Sequence, residues 1–228
     1  MSAATVEAAD TASPKCTSSA KQTNVDPFKL YGNQILFRIE RNGSPVGFHR
    51  IEFKKSDKGL MVKAHFELKI SILFFTAYQY SYRSESIWQG NCLMSLTATT
   101  DDDGEVSVVR ARLQEDQIRI EGPAGVRSTE TGLFPTNHWH PGILAHNRIL
   151  NTITGQINRI NITNKGKASV VINGGKGSAH HYVYSGELNN ELWYDLAGRW
   201  VKMRFLGNDG STIEYFCQQC RKNDEAKT

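Results

Sequence analysis

Between Leu60 and Ile70 the chain alternates strictly. Leu60, Val62, Ala64, Phe66, Leu68 and Ile70 take every second position, and Met61, Lys63, His65, Glu67 and Lys69 fill the gaps. Side chains two apart share one face of an extended strand, whereas a helix would spread them around its surface. The segment is therefore predicted to be a strand with one dry and one wet face. Strands of a parallel sheet are buried on both faces, so a one-sided strand belongs to an antiparallel sheet.

The same period recurs on both sides. Gln34 to Arg41 alternates, and Asn42-Gly43 behind it is the strongest short hairpin signal. Val46 to Phe53 follows, and Lys54 to Gly59 reads as a second turn. Further on, Tyr78, Tyr80, Tyr82, Ser84, Ser86 and Trp88 share one face, with Gln79, Ser81, Arg83 and Glu85 on the other. Gly90-Asn91 and Asp101 to Gly104 link strands at Cys92 to Thr100 and Val106 to Leu113, and Ile118 to Gly122 is another. Successive hairpins without a helix between them favour a meander or barrel.

Gly122 to Pro141, rich in Gly, Pro and Thr, reads as an ordered loop. Pro141 to Leu150 reads as one short helix with Pro141 in its first turn. Strands then resume at Gln156–Thr163, Ala168–Asn173, Ala179–Ser185, Glu191–Asp195, Trp200–Leu206 and Ser211–Gln218, separated by turns rich in Gly, Asn and Asp. About a dozen strands usually close, or nearly close, into a barrel or a strongly curled sheet. The predicted fold class is all-β: an antiparallel meander forming a closed or partly open β-barrel-like curled sheet, with one short helix near 141–150. The domain spans 30–219, behind a disordered tail at 1–29 and ahead of a polar tail at 220–228.

Composition narrows the function classes. The net charge is +4, both signs are interspersed and no long Lys/Arg run occurs, so no nucleic-acid partner is expected. The most apolar stretch, Ile70 to Ala77, is strand length, so no transmembrane segment is expected. Met1 to Gln22 lacks the apolar core of a secretory signal. Cys16, Cys92, Cys217 and Cys220 make no disulfide framework; they suit a reducing compartment, or one bridge in an oxidising one. Nothing in the sequence fixes an oligomeric state.

The C-terminal third carries a distinctive string: Leu192-Trp193-Tyr194-Asp195, Gly198-Arg199-Trp200, Arg204-Phe205, Asp209-Gly210-Ser211 and Ile213-Glu214-Tyr215. With Arg41-Asn42-Gly43, Val46-Gly47 and Trp88-Gln89-Gly90 upstream, it resembles an uncharacterised bacterial family of mostly exported proteins, known as a domain of unknown function. The resemblance implies a β-rich fold and a periplasmic or otherwise exported location, although this chain shows no leader. It implies no activity and no catalytic residues. Read from the residues alone, the string is structural: Trp193 and Trp200 sit on paired strands around a Gly198 turn, and Asp209-Gly210 makes the next hairpin.

Two features invite a chemical reading. His138 and His140 lie two apart, on one face if extended, and His146 follows six further on. Zinc needs three or four converging ligands, which His138, His140 and His146 would supply, with His180 and His181 as other candidates for the third. No Glu lies between the paired histidines to act as a base. Cys217-Gln218-Gln219-Cys220 has redox spacing, but it closes a strand instead of opening a helix. Gly174-Gly175-Lys176-Gly177-Ser178 lacks the spacing and the following helix of a phosphate loop, and no G-x-S-x-G elbow is present.

The second feature is the aromatic face. Phe66, Tyr78, Tyr80, Tyr82 and Trp88 would line a barrel with apolar walls and polar tips, suited to a lipid or another amphipathic ligand. The expected function is thus binding of a hydrophobic small molecule or lipid in the cell envelope, without catalysis and without a cofactor. The alternatives are a zinc-dependent enzyme built on His138, His140 and His146, or a purely structural envelope module.

Overall fold

The computed structural model describes residues 24–72 and 75–221. One turn of helix, α1 (Pro27–Leu30), leads into fifteen strands. They are β1 (Gln34–Arg41), β2 (Ser44–Ser56), β3 (Gly59–Ile72), β4 (Phe75–Gln89), β5 (Cys92–Asp102), β6 (Glu105–Gln114), β7 (Gln117–Gly122) and β8 (Gly125–Glu130), then β9 (Phe134–Pro135), β10 (Arg148–Leu150), β11 (Ile157–Ile172), β12 (Gly175–Gly186), β13 (Asn190–Asp195), β14 (Trp200–Leu206) and β15 (Thr212–Gln219).

All fifteen form one sheet in the order β8-β7-β6-β5-β4-β3-β2-β1-β15-β14-β13-β12-β11-β10-β9. Two meanders thus run away from a central seam where the first strand meets the last. There Arg38 lies opposite Phe216 and Ile39 opposite Tyr215. Every pairing is antiparallel except the short one between β9 and β10. The hairpins form where the sequence signals them. At Asn42-Gly43 both residues have positive φ, 50° and 80°, as a two-residue turn matched to strand twist requires.

The sheet curls. Trp88 on β4 and Trp200 on β14 are separated by four strands, yet both pack against the segment Asn137–His140. Phe66 on β3 stacks 5.9 Å from Tyr215 on β15. Hydrogen bonding does not close the circle, because the edges are β8 and β9. The gap is crossed by the Ala124 N–H on Thr154 O (3.0 Å) and by Arg148 Nη2 on Thr129 Oγ1 (3.1 Å). The all-β, partly open, barrel-like architecture is as the alternation predicts.

Several local expectations change. The loop expected over 122–141 contains β8, whose Thr129 is buried beside Arg148. The expected helix is a 3-10 turn, Pro141–Ala145, followed by β10. Pro141 starts that turn, but His146 already has extended backbone, so the turn stops after five residues. Asn164-Lys165-Gly166 is a bulge inside one long β11 instead of a turn.

Both domain boundaries move outwards as well. Asp26 caps α1, and Tyr31 behind it is fully buried, so the ordered chain begins before residue 30. Cys220 is buried and bridged to Cys217, so it belongs to the domain and not to the tail. The remaining tail assignments, 1–23 and 222–228, lie outside the described residues.

The C-terminal signature acquires a physical explanation. Asp195 ends β13 and accepts the backbone N–H groups of Ala197 and Arg199 (3.0 Å each) and Arg199 Nε (2.7 Å). Gly198 supplies the positive φ of the turn. Trp200 then donates its N–H to the Tyr31 hydroxyl (2.9 Å), which itself donates to Trp139 O (2.8 Å). The string fixes a turn and ties the N-terminal helix and the central segment to it.

Candidate functional site

The inward faces of β2, β3, β4 and β15 meet in an aromatic patch. Register places His49 opposite Phe66 and Phe66 opposite Tyr82, while Tyr215 is the partner of both Ile39 and Met203. Ring centroids join them across the interior: His49 to Phe66 5.9 Å, His49 to Tyr215 5.7 Å, Phe66 to Tyr80 5.7 Å.

The patch is buried with the rest of the core. His49, Phe66, Leu68, Tyr82, Met203 and Tyr215 each retain 7% of their surface, whereas Ile35, Phe37, Ile39, Ile51 and Trp200 beside them retain none. Remainders of this size are shared by other core side chains, Leu113 and Trp193 among them.

The five residues of the predicted ligand face divide by position. Phe66, Tyr80 and Tyr82 belong to the patch. Tyr78 stands at its rim, with its hydroxyl on Asp102 Oδ1 (2.6 Å). Trp88 does not belong: it is sealed at the other end of β4 by Phe134, Trp139 and His140. The period-two pattern puts all five on one side, but it carries no information about which part of that side the central segment covers. His49, Met203 and Tyr215 went unnoticed because each lies in a different strand, and only pairing across the sheet brings them together.

The polar atoms of the patch are few. The Tyr82 hydroxyl reaches Asn137 Oδ1 (3.3 Å). His49 has neither ring nitrogen hydrogen-bonded, although Phe37, Phe66, Trp200 and Tyr215 enclose it. Burial pushes its pKa down to about 3, helped by the neighbouring His65, so its ring is neutral at neutral pH. Burial raises Tyr80 to about 12 and also raises Tyr82, so both phenols keep their protons. The patch is uncharged, apolar in most of its area, and carries isolated hydrogen-bonding points.

The histidines proposed for zinc do not assemble. His140 Nδ1 accepts the Gly142 N–H (3.0 Å), which puts its proton on Nε2 and directs that proton to Asn91 Oδ1 (3.1 Å). No lone pair is left for a metal. His140 and His146 flank Phe134, at 4.9 and 4.8 Å, while His138 packs on Trp200 and Tyr184. His181 stacks on Trp193 (4.4 Å) and pairs with Glu191 (2.8 Å). Among the described residues, no three His, Cys, Asp or Glu side chains converge as a metal site requires. Burial lowers His138 to about 3, with a smaller contribution from His49, and lowers His140 to about 4.

The other motifs are structural. Cys217 and Cys220 form a disulfide beside the β11–β12 turn, where the Cys220 N–H meets Asn173 Oδ1 (3.0 Å). Lys176 is exposed next to that turn. No helix among the described residues is long and apolar enough to cross a membrane.

Comparison with known proteins agrees with the fold. The chain is similar to a crystal structure described as a β-barrel-like protein of a domain of unknown function, DUF1849, from Brucella abortus. The TM-score is 0.58 at 8% sequence identity, over 83% of this chain and 96% of that one. At such identity the likeness concerns the fold alone. No curated protein matches the sequence. Residues 37–218, from β1 through β15, match the family described as a domain of unknown function, DUF6134. The chain therefore belongs to the DUF6134 family of uncharacterised β-rich domains.

Proposed function

We propose that this protein binds an amphipathic or hydrophobic molecule, such as a lipid of the cell envelope, in the inner patch formed by Phe66, Tyr80, Tyr82 and Tyr215, with Tyr78 at the rim. The observation that carries this reading is the cluster of aromatic side chains that β3, β4 and β15 bring together on one inward face, with isolated phenol hydroxyls among them. Apolar walls with a few isolated polar points are the usual make-up of a small-molecule site. The polar points of the patch are isolated from one another, which favours binding over catalysis. The Cys217–Cys220 bridge supports an exported location, because disulfides persist in oxidising compartments.

Organic extraction of the purified protein followed by mass spectrometry is the direct test. A co-purifying amphipathic molecule, together with quenching of tryptophan emission by added fatty-acid probes, is the expected result. Repeated extraction of nothing, with no quenching, would reject the reading.

A further inference from the structure

His49 is one of several buried polar side chains without a hydrogen-bond partner, and both of its polar atoms lack one. Buried polar side chains in folded proteins are almost always hydrogen-bonded, since an unpaired one loses its water without compensation. His49 has two such atoms, Nδ1 and Nε2, and neither has a partner. Around it stand Phe37 from β1, Phe66 from β3, Trp200 from β14 and Tyr215 from β15, all as rings between 5.7 and 6.4 Å away. A purely structural position in such a cage would be served better by Phe, which has the same shape and no polar atoms.

We propose that His49 is the polar anchor of the inner patch and hydrogen-bonds the O–H group, alcohol or carboxylic acid, at the leading end of an apolar chain. The inference rests on the ligand-binding reading and adds the chemistry of the ligand. A neutral imidazole presents one N–H and one lone pair. A terminal O–H group answers the lone pair with its hydrogen, and its oxygen is available to the N–H. An ester can only accept, and a hydrocarbon does neither, so each leaves the lone pair unsatisfied. Losing one hydrogen bond at a buried group corresponds to about a tenfold loss of affinity or more. The chain behind the O–H group would lie along Phe66, Tyr80 and Tyr215 towards the rim at Tyr78.

The test uses four probes of one chain length: dodecanoic acid, 1-dodecanol, methyl dodecanoate and dodecane. Each is titrated into the whole protein with tryptophan emission as readout, since Trp200 lies 5.7 Å from His49. Tighter binding of the alcohol or the acid than of the ester and hydrocarbon, by about tenfold, is expected; which of the two binds tighter identifies the head group. His49→Phe should abolish that preference by weakening the alcohol or the acid more than the ester. Should the variant not fold, the ring ¹⁵N resonances of His49 in the parent protein decide: they should shift with the alcohol or acid and stay put with the ester. Equal binding of all four probes, a preference surviving His49→Phe, or unmoved ring resonances would overturn the inference alone. Binding of none of the probes would overturn the ligand-binding reading and the inference with it.

Discussion

Single residues on β3 show how one strand serves two environments. Phe66 faces the patch and Lys63 faces solvent, paired with Glu85 at 3.0 Å while both side chains stay nearly half exposed. Phe66→Ala should destabilise by about 3–5 kcal/mol through the cavity it leaves. Lys63→Ala should change stability by no more than about 0.5 kcal/mol, because exposed ion pairs contribute little. Urea unfolding of both variants beside the parent measures the contrast, and equal losses would contradict a one-sided strand. The buried histidines make a second prediction. His49 and His138 fall from 6.5 to about 3 on folding, so below pH 6.5 the unfolded chain takes up protons that the folded chain refuses. Their contribution to stability is complete above that pH and is lost progressively down to about pH 3. At pH 5 the loss should be about 2 kcal/mol for each. His49→Phe should remove its own share of about 2 kcal/mol, read from urea midpoints near pH 7.5 and pH 5; an unchanged pH dependence would show that His49 is not buried neutral.

Elements here depend on a few positions that no neighbour can replace. Gly47 on β2 lies so close to β3 that an added Cβ would fall 1.8 Å from Glu67 O, a backbone atom with little freedom to yield. Gly47→Ala should therefore separate β2 from β3 and cost more than the roughly 1 kcal/mol typical of a point substitution. Thermal melting of the variant checks this, and an unchanged midpoint would mean the two strands are not in such contact. The β13–β14 turn depends on Asp195 in the same way. Asp195→Ala removes its bonds to Ala197, Arg199 N–H and Arg199 Nε together, in a buried setting. A loss of about 3 kcal/mol or more is expected, because three hydrogen bonds to a buried carboxylate are lost together. A loss below 1 kcal/mol on urea unfolding would mean that this turn is held by other contacts.

The whole molecule is organised by the β1–β15 seam. Almost the full length of the chain separates the two strands, and both meanders hang from their pairing. Truncation after Leu206 removes β15 and leaves β1 and β14 with unpaired edges on either side of the aromatic patch. Unpaired edges of this kind recruit other chains. The truncated chain should lose cooperative unfolding and associate, as seen by circular dichroism during urea titration and by size-exclusion chromatography. A monomeric truncated chain that unfolds cooperatively would show that each meander is stable alone.

The sequence by itself determined the strands and their faces. The alternation from Leu60 to Ile70, the Tyr-and-Trp face of β4 and turns such as Asn42-Gly43 are local signals, because a period of two and a positive φ act over only a few residues. The same signals were sufficient for the all-β class and for a sheet that nearly closes. They missed β8 and read β10 as part of a helix, because those short segments are fixed by what they pack against and not by their own period. Only the tertiary structure decided what each inward-facing residue packs against. Trp88 and Tyr82 are equivalent in the pattern of β4, but Trp88 packs on Trp139 and His140 of the central segment, whereas Tyr82 lies beside Phe66 and touches that segment only through its hydroxyl on Asn137. The same packing separated His138 from His140 and set His49 unpartnered among four rings. Those outcomes depend on contacts between residues far apart in the chain, and no local period records them.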